Sequence, residues 1–304
     1  MTTRQIEVAG GRVVMLDDVG RPDGVPVLYL HGTPDSRLAR PADDGLAAHT
    51  GVRVLALDRP GYGGSDPVPT VGSGAGTSPA GWVEAVVGDG VAALDELRVE
   101  RCGVVAWSGG ALTALAVAAG LPERIAALGI VAGLVPRQAY HEPAVREAGG
   151  DRLATLELAE VLPPGELGEA VAPLVAPYPC DRRLALEHQA EHRDAAGALE
   201  LATVPGGVER MADALVEAVR RGLAGAAADI EAQARPLAAD LGSIACPVRL
   251  WYGTDDVVTP PAFGRWYAER LAGATLELVD GAAHYLLFTR WTDILRSIAA
   301  AADS

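Results

Sequence analysis

Short, unbroken apolar runs that stop at a turn-forming or polar residue recur along this 304-residue chain. Pro26–Leu30 (PVLYL) ends at His31–Gly32, Val52–Leu57 (VRVLAL) at Asp58, and Cys102–Trp107 (CGVVAW) at Ser108. Ala127–Ala132 (ALGIVA), Val248–Tyr252 (VRLWY) and Thr275–Val279 (TLELV) follow. A strand that is apolar on both faces has to be covered on both, which is the condition of a parallel sheet sandwiched between helices. Helical stretches stand between the runs, at about 80–97, about 109–120 and about 262–271. The alternation predicts an α/β fold with a doubly wound, mostly parallel sheet. Gln5–Val8 and Val13–Asp17, joined at Gly10–Gly11, add an antiparallel start.

One region breaks the alternation. Residues 134–243 hold no convincing strand and are rich in Ala, Glu and Arg, with Pro and Gly punctuation at Pro163–Pro164, Pro177, Pro179 and Pro205–Gly206. The reading is an inserted helical cap, with residues 1–133 and 244–304 forming the core. A hydrophobic content of 49% in a chain of this length supports one large core of that kind. Val71–Pro79 (VGSGAGTSP) is Gly-rich but lacks the Gly-Lys-Ser/Thr ending of a phosphate loop, so it reads as a flexible connection.

Composition removes several function classes. The formal net charge is -15 and no basic footprint is visible, so nucleic acid is not an expected partner. Cys102, Cys180 and Cys246 are odd in number and widely spaced, which suggests neither a disulfide framework nor a metal knuckle. The N-terminal MTTRQIEVAGG has no apolar signal core, and no run of about 18 apolar residues offers a membrane span. A cytoplasmic protein, monomer or homodimer, is expected.

The chemistry gathers at the ends of the runs. Ala106-Trp107-Ser108-Gly109-Gly110 lies directly after one strand and directly before the helical ALTALAVAA. Small residues two positions either side of a serine permit a tight strand-to-helix turn, which lifts the hydroxyl above the sheet edge. The Gly109 N–H then stands at a helix start, facing a developing oxyanion. Alone, the pattern also suits a serine that merely caps a helix. His31-Gly32-Thr33-Pro34 follows PVLYL, Asp58-Arg59-Pro60-Gly61-Tyr62-Gly63-Gly64-Ser65 follows VRVLAL, Gly253-Thr254-Asp255-Asp256 through Pro260 follows VRLWY, and Gly281-Ala282-Ala283-His284 follows the last run.

These segments, in this order, resemble the α/β-hydrolase fold superfamily, in its serine-nucleophile branch with a helical cap. The resemblance covers about 25–135 and 245–300, and departs from the Gly-x-Ser-x-Gly elbow only in having Ala106 at the first small position. It implies Ser108 as nucleophile, His284 as base and Asp256 as the acid behind the histidine, with the adjacent Asp255 as the alternative acid. It implies the N–H groups of Thr33 and Gly109 as the oxyanion hole, and no cofactor or metal. Asp58 and His31 are expected to brace their loops. Trp107, His31, Tyr140 and Tyr178 are the candidate pocket residues, with Met211 and Trp266 also able to line a pocket or its edge. The expected activity is hydrolysis of a small-molecule ester, lactone or related acyl bond through an acyl-enzyme. A serine at the elbow sets the chain apart from relatives of this fold with an aspartate nucleophile. Non-hydrolytic enzymes of the scaffold (lyases, cyclases, acyltransferases, cofactor-free oxygenases), a proline-iminopeptidase-like aminopeptidase and a binding protein with a silent site are the other readings.

Overall fold

The computed structural model describes the chain apart from residues 70–78, 151, 164, 176–180, 193–194, 238 and 304, and apart from the side chains of 79, 175, 188–192 and 195. The expectations for the Val71–Pro79 loop, Tyr178 and Cys180 therefore fall wholly or largely outside the described residues.

The strands are β1 (Thr2–Val8), β2 (Arg12–Gly20), β3 (Val25–Leu30), β4 (Val52–Leu57), β5 (Cys102–Trp107), β6 (Ile125–Val131), β7 (Val248–Gly253) and β8 (Thr275–Val279). They form one eight-stranded sheet in the order β1-β2-β4-β3-β5-β6-β7-β8. β1 with β2 and β2 with β4 are antiparallel, and every later pairing is parallel. The register aligns the strand ends. Leu30 stands opposite Leu57 and Ala106, Trp107 opposite Val131, and Val131 opposite Trp251. The loops carrying His31, Asp58, Ser108 and Asp256 therefore leave the sheet along one edge.

Side chains alternate across this sheet into two apolar layers. Leu28, Leu30, Leu55 and Val104 belong to one, Val27, Tyr29, Val54 and Val105 to the other. The first layer is covered by α2 (Pro79–Glu96) and α3 (Gly110–Gly120), the second by α1 (Gly45–His49) and a C-terminal helix, so the sheet is doubly wound. β8 differs from the expectation of a run buried on both faces. It is the edge strand, and its residues are exposed or half-buried.

Between β6 and β7 lie α4 (Pro143–Ala148), α5 (Arg152–Val161), α6 (Glu166–Val175), α7 (Arg182–His192), α8 (Ala195–Ala202), α9 (Gly207–Ala218) and α10 (Ala224–Gln233), with no strand among the described residues. After β7 come α11 (Pro261–Arg270), α12 (Leu286–Thr289) and α13 (Trp291–Ala302), the last being the helix against the second layer. α10 packs on both α6 and α2, which seats the insertion on the core. α10 also meets the turn after β4 at close range, glycine against glycine. A Cβ on Gly225 would come within 2.5 Å of the Gly61 carbonyl carbon. Charge pairs also cross this boundary, with Arg59 to the buried Asp229 at 2.7 Å and Arg37 to the half-buried Glu217 at 2.6 Å.

Candidate active site

Ser108 sits at the turn between β5 and α3 with φ at +52°, in the left-handed region that a β-carbon disfavours by about 1–2 kcal/mol. Three main-chain hydrogen bonds hold it there. Its N–H donates to the Val131 carbonyl at 3.1 Å, and its carbonyl accepts the N–H groups of Ala111 at 3.1 Å and Leu134 at 3.0 Å. The requirement for small neighbours is visible. A Cβ on Gly110 would lie 2.5 Å from the Leu30 carbonyl oxygen and 2.6 Å from that of His31. A Cβ on Gly109 would press to 2.7 Å from Gln233 Nε2. Ala106 is fully buried in the sheet, where its methyl group fits.

His284 Nε2 lies 3.1 Å from Ser108 Oγ, and His284 Nδ1 lies 3.0 Å from Asp256 Oδ2. Asp256 is held on all sides. Its Oδ1 accepts the N–H groups of Val258 and Thr259, each at 2.8 Å, and its Oδ2 accepts the Thr259 hydroxyl at 2.7 Å. Burial pushes the Asp256 carboxyl up, but the His284 charge and the hydrogen bonds from His284 and Thr259 outweigh it and hold the group below its ordinary value. Asp255 points elsewhere, is exposed, and engages the Thr254 hydroxyl at 3.1 Å. The structure thus brings Asp256, and not Asp255, to the histidine.

The loop after β3 is fixed from below and from the insertion. His31 is fully buried and its Nε2 accepts the Arg59 N–H at 3.1 Å, leaving Nδ1 to donate to the Gly32 carbonyl at 2.8 Å. Burial first, and then the Arg59 charge, push its pKa well below the ordinary histidine value, so the ring is neutral. The Thr33 hydroxyl bonds to Asp229, accepts Gln233 Nε2 at 2.7 Å and accepts Arg59 Nη2 at 3.1 Å. Arg59, paired with Asp229, also donates to the Gly32 carbonyl at 2.7 Å. Among the described residues no protein group engages the N–H of Thr33 or of Gly109. Asp58 braces the next turn, accepting the N–H of Arg37 at 2.7 Å and of Gly64 at 2.9 Å.

A cavity of about 210 Å³ opens over Ser108 and His284. The core lines it with Thr33, Pro34, Asp35, Trp107, Val258 and Tyr285, and the insertion contributes Met211 and Leu215 from α9. Of the pocket candidates, Trp107 is placed there, its indole N–H donating to the His284 carbonyl at 3.0 Å. His31 and Tyr140 are not. His31 lies beneath the loop, and Tyr140 is buried edge-on to Phe263, with ring centroids 5.8 Å apart. Trp266 is also away from the cavity, its indole bonded to Glu142 at 2.9 Å. Asp35, Leu215, Val258 and Tyr285, which line the cavity, and Thr259, which bonds to Asp256, escape sequence reasoning as site residues, because no local motif marks a contact made only through folding. A larger cavity, about 580 Å³, lies among Trp82, α6 and α10 and is bordered by none of Ser108, His284 or Asp256.

A serine on a strained strand-to-helix turn, above the carboxyl edge of a doubly wound sheet, is the arrangement of an α/β-hydrolase. The chain belongs to the alpha/beta hydrolase family, whose model matches residues 27–296. A pimeloyl-[acyl-carrier protein] methyl ester esterase from Chromobacterium violaceum is 41% identical over 70 residues, which is 23% of this chain and 26% of that protein. The match thus spans about a quarter of that relative's length. Solved structures extend over the whole fold. An alpha/beta hydrolase fold protein from Nakamurella multipartita matches with a TM-score of 0.64 at 25% identity, covering 97% of this chain and 99% of its own. The enol-lactonase from Burkholderia xenovorans matches with a TM-score of 0.63 at 19% identity, covering 99% and 100%. Among the described residues no helix is long and apolar enough to cross a membrane.

Proposed function

We propose that this chain is a serine hydrolase that cleaves a small-molecule ester, lactone or related acyl bond through an acyl-enzyme. One observation carries the reading: the unbroken hydrogen-bonded line from Ser108 Oγ to His284 at 3.1 Å and from His284 to Asp256 at 3.0 Å, at the floor of a cavity. A serine hydroxyl needs a base to take its proton as it attacks. His284 Nε2 receives that proton and later passes it to the leaving alcohol. Asp256 fixes the Nδ1–H tautomer and stabilises the imidazolium. The N–H groups of Thr33 and Gly109 receive the tetrahedral oxyanion, each such donor being worth about 3–4 kcal/mol of barrier. Water then resolves the acyl-enzyme.

The cavity argues for a small substrate. About 210 Å³ is below the roughly 300–1,000 Å³ usual for drug-sized ligands. The insertion acts as a cap on this reading, since Met211 and Leu215 close the space over the serine. The esterase similarity over 70 residues fits the same class of reaction. The test is labelling with a fluorophosphonate together with turnover of p-nitrophenyl acetate and butyrate. Wild-type protein is expected to label once, at Ser108, and to hydrolyse at least one ester. A folded protein that neither labels nor turns over would overturn the reading.

A further inference from the structure

Asp35 is 6% exposed and its Oδ1 has no hydrogen-bond partner among the described residues. Every other carboxylate buried to this degree there has a cationic partner. Asp17 and Asp58 face Arg37, Asp89 faces Arg12, Asp229 faces Arg59, Glu231 faces Arg235 and Asp256 faces His284. A stranded carboxyl oxygen costs roughly 1–3 kcal/mol, and the fold gains no bond from it.

Its position supplies a reason. Asp35 borders the cavity over Ser108. A Cβ on Gly32 would stand 3.2 Å from Ser108 Cβ and 3.3 Å from Asp35 Oδ2, so the serine and that carboxyl oxygen flank the same glycine. Of the other walls, Pro34, Met211, Leu215 and Val258 are hydrocarbon, Trp107 gives its indole N–H to the His284 carbonyl, and Tyr285 is a phenol. The Thr33 hydroxyl is already committed to Asp229 and Gln233. Asp35 is thus a polar handle left for a ligand. Burial, opposed by the charges of Arg59 and His284, pushes its carboxyl up to about 8, which favours the protonated, hydrogen-bond-donating form near neutral pH.

We infer that Asp35 is a specificity-determining residue that hydrogen-bonds an oxygen acceptor on the substrate's acyl chain, selecting oxygenated acyl groups over plain hydrocarbon ones. The acyl carbon bonds to Ser108 Oγ and the acyl chain stays tethered there after the alcohol leaves; on this inference that chain occupies the space shared with Asp35. The inference rests on the serine-hydrolase reading above.

The experiment compares p-nitrophenyl methoxyacetate with p-nitrophenyl butyrate, whose acyl chains differ by an oxygen in place of a methylene. The ratio of their kcat/KM values is measured for wild type, Asp35→Asn, Asp35→Ala and Asp35→Leu. Comparing the ratio between proteins cancels the intrinsic reactivity of the two esters. Loss of one neutral hydrogen bond is expected to lower the ratio on the order of tenfold in Asp35→Ala and Asp35→Leu. Asp35→Asn keeps an N–H donor and is expected to hold most of it. Asp35→Leu keeps the site filled with hydrocarbon, which guards against a folding defect. An unchanged ratio in both Ala and Leu variants, with both esters still hydrolysed, overturns the assignment of Asp35 alone. A wild-type protein that cleaves neither ester and fails to label with fluorophosphonate removes the hydrolase reading, and the inference with it.

Discussion

Glu200, on α8, accepts a hydrogen bond from the Ala283 N–H at 3.2 Å, one residue before His284. Its carboxyl also takes the Tyr285 N–H on the other side of that histidine, and the Thr289 hydroxyl at 3.4 Å. A single side chain from the insertion therefore grips both peptide flanks of His284. Glu200→Ala is expected to lower kcat about tenfold while KM changes little, because His284 loses its alignment and the cavity walls stay. Burial pushes the Glu200 carboxyl up to about 7, against the pull of the two N–H donors. A raised carboxyl stabilises the fold when protonated, so its contribution is full below about 4.5 and lost as pH rises through about 7. Glu200→Gln is then expected to gain in Tm relative to wild type between pH 5 and pH 8, read by thermal unfolding across that range.

Asp256 and Asp255 are neighbours with opposite surroundings. Asp256→Asn is expected to reduce kcat/KM by about 10⁴, since the wrong tautomer of His284 is then favoured. Asp255→Asn, altering an exposed carboxyl that bonds to Thr254, is expected to leave kcat/KM within about twofold. Equal losses in the two variants would contradict the geometry.

Ser108→Ala is expected to fold, to lose labelling by fluorophosphonate and to lose on the order of 10⁴ or more in kcat/KM. Circular dichroism and Tm establish folding. Residual labelling would place the reactive nucleophile elsewhere.

Arg59 and Asp229 are a buried pair 2.7 Å apart, linking the turn after β4 to α10. Removing one partner leaves a buried charge without its counter-ion. Asp229→Ala is expected to cost about 3–5 kcal/mol in urea unfolding. It also removes the acceptor of the Thr33 hydroxyl, so labelling at Ser108 is expected to slow even where the protein remains folded.

Asp35 gives a separate stability signature. Its folded value of about 8 lies above the ordinary 3.8, so its contribution to stability is full below about 4 and is lost as pH rises through about 8. Asp35→Asn removes this dependence. The variant's unfolding free energy relative to wild type is expected to climb between pH 4 and pH 8 and to level off above pH 9.

Much of the fold was legible because its determinants are local. β4, β5 and β8 run as read, from Val52 to Leu57, Cys102 to Trp107 and Thr275 to Val279. Strand ends elsewhere moved by a few residues, as at β1, which begins at Thr2 rather than Gln5. There the ladder to β2 continues through exposed polar residues that carry no hydrophobic signal. β8 was identified as a strand but not as an edge, since burial is a property of neighbours and not of the run itself.

The sequence by itself determined the doubly wound sheet and the strand ends at which Ser108, Asp256 and His284 stand. Those follow from apolar periodicity and from the sterics of small residues at a tight turn, which act within a few positions. Only the tertiary structure decided that Asp256 rather than Asp255 reaches the histidine, that Glu200 clamps the histidine loop, that Asp35 borders the cavity over Ser108, and that His31 and Tyr140 stay outside that cavity. Each of those outcomes depends on packing or pairing between distant segments, such as α8 against the loop before α12, and burial and close approach are fixed only when those segments meet.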